Sequence, residues 1–144
     1  MGDPLDPAAA REHLLGDRRG IVEATIECAD AVAASWSEAG TTDRGAVVDP
    51  LYRTLSKAGL LEAYPSVLAE CVAAAGGALP AEPVAAPPYV TITSVGPVLR
   101  ATLDAGRLVV TLAVFDVERP DGGGRPRYVR AARAPESVVG VEVR

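Results

Sequence analysis

The segment GGALPAEPVAAPP, which begins at Gly76, divides the chain into two parts of unlike composition. Its four prolines lack amide donors and disfavour a helix, so the sequence predicts an extended Pro/Ala-rich connector over residues 77–88. Residues 1–88 hold 20 alanines and 7 valines, whereas residues 89–144 hold 6 alanines and 12 valines. Because alanine favours helices and valine favours strands, we expect the helices to precede the strands.

This order predicts an α+β fold, with an N-terminal bundle of three to four helices packed on a C-terminal antiparallel sheet of four to five strands. Both parts belong to one expected domain of residues 1–144, with a helical part over residues 1–76 and a β part over residues 89–144. A chain of 144 residues is long enough to bury a core without disulfides or metals.

Two helix starts are predicted where an aspartate precedes a proline, at Asp6-Pro7 and Asp49-Pro50. The carboxylate caps an orphan amide, and a proline at the first helical position loses no hydrogen bond. Apolar residues that recur every three or four positions predict the helical segments, and glycines predict where these helices end. The four predicted helices are residues 7–15, a longer one between 17 and 40, 50–58, and 60–75.

The β part shows alternating polar and apolar residues, with a tight hairpin turn at residues 104–107. One long strand, residues 108–118, is expected to run without a break. The chain is expected to close with an edge strand. The five predicted strands are residues 89–95, 98–104, 108–118, 127–132 and 137–143.

Charge and cysteine content exclude several classes of protein. The formal net charge of −5 argues against nucleic-acid binding driven by overall charge. One lysine against 13 arginines is typical of a GC-rich genome and of a halophile. Cys28 and Cys71 lie on apolar helix stripes and form neither a disulfide framework nor a metal site. With no apolar run long enough for a membrane span and no secretory-type N-terminus, we expect a cytoplasmic protein without cofactor or metal.

An arginine series around the glycine-rich loop is the only locally basic stretch. Guanidinium groups there could bind a phosphate, a nucleic acid or an acidic partner, although a solvated hairpin or intramolecular ion pairs would have the same pattern. Strand alternation places Arg130 opposite the other three on the hairpin. The candidate contact residues are Arg125, Arg127, Arg130 and Arg133.

An apolar set on the second face of the predicted sheet suggests an interface. If residues 108–118 form a regular strand, alternate side chains on the face away from the helices are apolar, which is typical of a surface that another subunit covers. Dimerisation is expected through this face or through the last strand. The candidate interface residues are Val109, Phe115, Val117 and Val139.

The leading functional hypothesis is a small non-enzymatic cytoplasmic protein that acts by self-association, as a homodimer, and by protein binding. The first alternative is nucleic-acid or phospholigand binding through the arginine-rich hairpin. The second is an enzyme with a pocket between helices and sheet, in which His13, the only histidine, would act as an acid or base.

Overall fold

The computed structural model describes residues 3–131 and 133–144 and confirms the α+β fold class. The helices are α1 (Pro7–Leu15), α2 (Arg19–Ala34), α3 (Gly45–Lys57), α4 (Leu60–Ala74) and the short α5 (Pro135–Val138). The strands are β1 (Gly40–Thr41), β2 (Val90–Ile92), β3 (Pro97–Leu103), β4 (Gly106–Leu112), β5 (Phe115–Glu118), β6 (Arg127–Arg130) and β7 (Val139–Val143). Residue 132, at which the predicted strand 127–132 would end, lies outside the described residues.

The strands form two antiparallel sheets, whereas one sheet was expected. The large sheet has the order β2-β3-β4-β7, and the small sheet has the order β1-β6-β5. The hairpin turn expected at residues 104–107 is confirmed, because Leu103 pairs with Gly106 across a two-residue connection. The expected edge position of the last strand is also confirmed, since β7 pairs with β4 alone.

The helices pack on one face of the large sheet and form the core with it. Helices α1 and α4 contact each other. Helix α1 also contacts β7, and α4 also contacts β3. The strand residues that face them are almost fully buried, among them Leu99, Leu108 and Val110. The alternate residues of the same strands lie on the opposite face of the sheet.

A bulge between β4 and β5 divides the strand that was expected to be continuous, so the prediction for residues 108–118 is wrong in this respect. The amides of Val114 and Phe115 both donate to the carbonyl oxygen of Val95, at 3.0 and 2.9 Å. Two consecutive residues therefore oppose one on the partner segment, and both side chains are fully buried. Gly96, with φ of 146°, permits the close approach, because a Cβ there would lie 2.0 Å from the carbonyl oxygen of Leu112.

One of the two predicted Asp-Pro helix starts is confirmed. The Asp6 carboxylate accepts from the amide of Ala9 at 3.2 Å, and Pro7 is the first residue of α1. The second is wrong, since α3 already begins at Gly45 and Pro50 lies in its interior. The amide that Pro50 lacks would have bonded to the carbonyl of Ala46 in the preceding turn, so the helix forms with one intrahelical hydrogen bond fewer.

The connector predicted over residues 77–88 contains neither helix nor strand. It links the end of α4 to β2, and it is followed at once by the first pairing of the large sheet. Across residues 3–131 and 133–144, none of the helices combines the length and the apolar character that a bilayer crossing requires.

Candidate functional site

The structure divides the four candidate arginines between two places. Arg130 and Arg133 both approach the Asp30 carboxylate on α2, with nitrogen–oxygen distances of 2.9 and 3.3 Å. Arg125 and Arg127 lie on the other side of the hairpin and line a different groove. The four therefore do not form one basic surface. The predicted placement of Arg130 on the face opposite Arg127 agrees with the exposed fractions of their side chains, which are 8% for Arg130 and 43% for Arg127.

Arg130 is a structural residue in this arrangement. Its side chain is only 8% exposed, and its Nε donates to Asp30 at 3.0 Å while Nη1 donates to the carbonyl of Val114. Its guanidinium carbon lies 5.6 Å from the centre of the Phe115 ring, which in turn lies 5.6 Å from the Trp36 ring. These contacts hold the small sheet against α2 and leave Arg130 with little capacity for an external ligand.

Arg125 and Arg127 line an open groove of about 450 Å³ together with Arg119 and Thr42. Arg127 also forms an exposed ion pair with Glu118, with 3.0 Å between Nη1 and Oε1. The groove therefore combines three guanidinium groups with two carboxylates, those of Glu118 and Asp121, so its lining has a small positive excess that an anion could approach.

The four candidate interface residues do not share one surface either, and the prediction of one exposed apolar face is wrong. Because of the bulge, Phe115 turns into the core and is fully buried, and Val117 is half-buried against that core. Val139 faces the helices on the inner side of β7. Only Val109 lies on the face of the large sheet away from the helices, and it is absent from the core cluster.

We call that side of the large sheet the open face. Val109 occupies its centre on β4, with Arg100 directly opposite on β3 and Glu142 directly opposite on β7. Val109 is only 2% exposed, so these longer side chains screen it from water. The Nε of Arg100 is buried and has no hydrogen-bond partner among the described residues. The open face comprises Thr91, Val98, Arg100, Thr102, Arg107, Val109, Thr111, Gly140 and Glu142.

A second candidate surface is a groove of about 310 Å³ between α3 and the edge strand β2, which we call the edge groove. Tyr52 lies on its α3 side and is 51% exposed, although it is a large aromatic residue. This groove was not among the sites predicted from the sequence. The available signal was the pair Val48 and Tyr52, four residues apart on α3 and therefore on one helix face, beside the buried stripe of Leu51 and Leu55.

His13 belongs to an ion network that joins three helical segments. Its Nε2 lies 2.7 Å from Oε1 of Glu70, and its Nδ1 lies 3.4 Å from Oδ2 of Asp17. Arg18 also donates to Glu70, from Nε at 2.8 Å and from Nη2. The hydrogen bond from Arg18, and to a smaller extent the one from His13, holds the pKa of Glu70 down at about 2. Both ring nitrogens of His13 therefore face carboxylates.

Both cysteines are free thiols buried in the helical layer. Burial raises the pKa of Cys71 to about 12 and also raises the pKa of Cys28. Thiols with raised pKa values are poor nucleophiles at neutral pH. In the part of the chain that the structure describes, no three His, Cys, Asp or Glu side chains group as metal ligands would.

Comparison with known families matches residues 8–144 to the Domain of unknown function (DUF7988). The chain belongs to the DUF7988 family. No curated protein and no solved structure matches it. The match extends from α1 to the C-terminus, so both the open face and the edge groove lie inside the DUF7988 domain.

Proposed function

We propose that the protein acts by self-association and protein binding and not by catalysis, and that it forms a homodimer through the open face. The observation that carries this proposal is the row Arg100–Val109–Glu142, in which a valine lies between opposite charges across three adjacent strands. Such a row is complementary to a copy of itself, and self-complementarity is what a two-fold interface requires.

The proposed dimer has one orientation, in which unlike charges pair. A two-fold axis that runs parallel to β4 through Val109 reverses the left-to-right order of the strands in the second copy. The β3 of each copy then faces the β7 of the other. Arg100 of one copy meets Glu142 of the second, the reciprocal pair forms on the far side, and the two Val109 residues lie nearest the axis beneath these longer side chains.

The size of the open face predicts a reversible dimer. Four strands spaced about 4.8 Å apart, with up to seven residues that rise about 3.4 Å each, cover roughly 450 Å² on each copy. Twice this area is roughly 900 Å², below the 1,200 Å² at the lower end of stable interfaces. We therefore expect dissociation on dilution, and the reciprocal charge pairs would carry much of the specificity.

Sedimentation velocity over a series of concentrations tests this proposal. The unmodified chain should shift from monomer to dimer as its concentration rises, and Arg100→Glu should raise the dissociation constant at least about tenfold, because two like-charge contacts replace two ion pairs. The matched control is Arg127→Glu, which reverses an arginine in the exposed pair with Glu118 on the small sheet and should leave the dimer intact. A chain that stays monomeric at millimolar concentration would rule out the dimer.

The cytoplasm is the compartment that we propose for this dimer. Cys28 and Cys71 are both reduced and buried, and free thiols of this kind persist in a reducing compartment. Detection of the tagged full-length chain in the cytosolic fraction of its own cells would support this location, and recovery outside the cytosol would contradict it.

A second candidate function is anion binding, and the convergence of Arg119, Arg125 and Arg127 on one groove favours it. Phosphate groups are bound by such forks of guanidinium donors. Calorimetric titration with inorganic pyrophosphate at low salt should show binding that weakens as salt is added and that is lost in Arg125→Gln/Arg127→Gln. Arg133→Gln, which removes a cation paired with Asp30 outside the groove, is the control. No heat of binding at low salt would eliminate this candidate.

A further inference from the structure

The edge groove combines an unpaired strand edge with an apolar helix flank. Strand β2 is the edge of the large sheet, and it pairs on one side with β3. On its other side lies α3, with Val48, Asp49 and Tyr52 along the groove. Part of the connector, including Pro87, completes the lining. A segment that lay in this groove would therefore touch both peptide groups and apolar side chains.

The hydrogen-bond pattern leaves backbone groups free at this edge. Tyr89 accepts from the amide of Arg100 at 2.8 Å, and Thr93 exchanges two bonds with Gly96. In an antiparallel pair, every second residue directs its N–H and C=O toward the neighbouring strand, and the residues between them direct these groups away from it. Tyr89 and Thr93 bond toward β3, so the N–H and C=O of Ile92 point away from β3 and toward the groove. Among the described residues, the amide of Ile92 makes no hydrogen bond to a turn or a loop. The amide of Val90 is already satisfied by Ala86, at 3.1 Å.

The side chains around the groove indicate the chemistry of a suitable partner. Tyr52 offers an exposed aromatic ring, and Val48 beside it adds apolar surface. Asp49 supplies a carboxylate on the same side. The surrounding helical part is acidic, since residues 1–88 contain 13 acidic and 6 basic residues. An occupant with apolar side chains and a lysine or arginine therefore fits this groove better than an acidic one.

We propose that the edge groove binds an extended, basic and apolar segment of a partner protein, which adds to β2 as a further strand. Hydrogen bonds with Ile92 fix the backbone of the segment, alternate apolar side chains pack against Tyr52 and Val48, and a basic side chain pairs with Asp49. Addition of a strand at a sheet edge is a recurrent mode of peptide recognition, in which the main chain supplies affinity and side-chain pockets supply specificity. This surface lies apart from the Arg100–Val109–Glu142 row, so either proposal can fail without the other.

Selection of a random heptapeptide phage library on the full-length protein tests this inference. The enriched peptides should alternate apolar residues and carry at least one lysine or arginine. Synthetic versions of these peptides should bind at least about tenfold more weakly to Tyr52→Ala and to Ile92→Pro than to the unmodified chain. Ile92→Pro removes the outward amide at an edge position where proline is tolerated, because its nitrogen faces away from the ladder, and it also shortens a side chain that packs against the core. Ile92→Val, which keeps that amide, is the matched control and should bind normally.

A second selection, on Asp49→Lys, tests the role of charge independently of the backbone. The peptides that it enriches should change from basic to acidic, which a merely structural role of Asp49 would not produce. The inference is overturned if no peptide is enriched on the unmodified chain, or if binding persists unchanged in both Ile92→Pro and Tyr52→Ala. It is also overturned if Ile92→Pro abolishes a dimer of the chain, because the groove would then hold a second copy.

Discussion

Glu70 ties α4 to α1 and to the segment before α2, because it faces both His13 and Arg18. Its pKa of about 2 lies below the ordinary value of 4.5, so the folded state favours the charged carboxylate. That contribution to stability is present above pH 4.5 and is lost as the pH falls toward 2.

Glu70→Gln tests this contribution at the residue scale. We expect the free energy of unfolding at pH 7 to fall by about 1–2 kcal/mol, a value reduced from that of a buried pair because the side chain is partly exposed to solvent. The loss of stability between pH 4.5 and 2 should be smaller than in the unmodified chain. Urea denaturation at several pH values measures both effects. Equal slopes of stability against pH in the two proteins would contradict the assignment to Glu70.

Gly96 is the second residue on which the fold depends, because it permits the close approach between residues 95–96 and Leu112. Gly96→Ala should destabilise the protein by about 3 kcal/mol or more, since its Cβ would collide with a backbone carbonyl at a positive φ. Gly20→Ala is the matched control: nothing lies within 4 Å of its Cβ position, and in a helix alanine should stabilise by up to about 1 kcal/mol. Thermal unfolding compares the two, and a Gly96→Ala protein as stable as the unmodified chain would contradict the close approach.

At the scale of elements, sequence patterns predicted the parts that depend on local chemistry. The α1 cap, the helix of residues 60–74 and the hairpin between β3 and β4 follow from capping, apolar spacing and turn residues. The break between β4 and β5 was not predictable in the same way. It depends on Val95, whose carbonyl accepts two consecutive amides from a segment nearly 20 residues later, and no local pattern at residues 108–118 indicates that contact.

The same limit applies to the candidate site. The arginine series was visible in the sequence, but its division depends on Asp30, which lies 100 residues before Arg130. The hydrophobicity of Phe115 was also visible. Whether Phe115 faces a partner or its own core depends on the bulge, because a shift of one residue moves a strand side chain to the opposite face.

The Arg130 contacts give a prediction for the small sheet as an element. Arg130→Ala should lower the free energy of unfolding by about 2–3 kcal/mol, because it removes a nearly buried guanidinium that bonds Asp30 and covers Phe115. Arg133→Ala removes an arginine that pairs with the same carboxylate but is 69% exposed, and it should cost less than about 1 kcal/mol. Chemical denaturation distinguishes them, and similar losses for both variants would argue against a structural role specific to Arg130.

At the scale of the whole molecule, α1, α3 and α4 contact strands of the large sheet, and the residues of the open face alternate with the buried residues that face these helices. A sheet with one covered face would normally carry an unremarkable polar surface on the other. Here the polar face has a buried valine, Val109, at its centre, with Arg100 on one side of it and Glu142 on the other. The proposed self-association depends on this asymmetry.

A mixing experiment tests the proposed dimer interface. In Arg100→Glu, two carboxylates would meet at both contacts of the two-fold dimer, and in Glu142→Arg two guanidinium groups would meet. Each variant should therefore be monomeric alone, whereas an equimolar mixture restores both ion pairs and should form a heterodimer that native mass spectrometry resolves by its mass. Circular dichroism confirms that each variant is folded. If the mixture of folded variants contains only monomers, or if each variant still forms its own homodimer, the proposed interface is wrong.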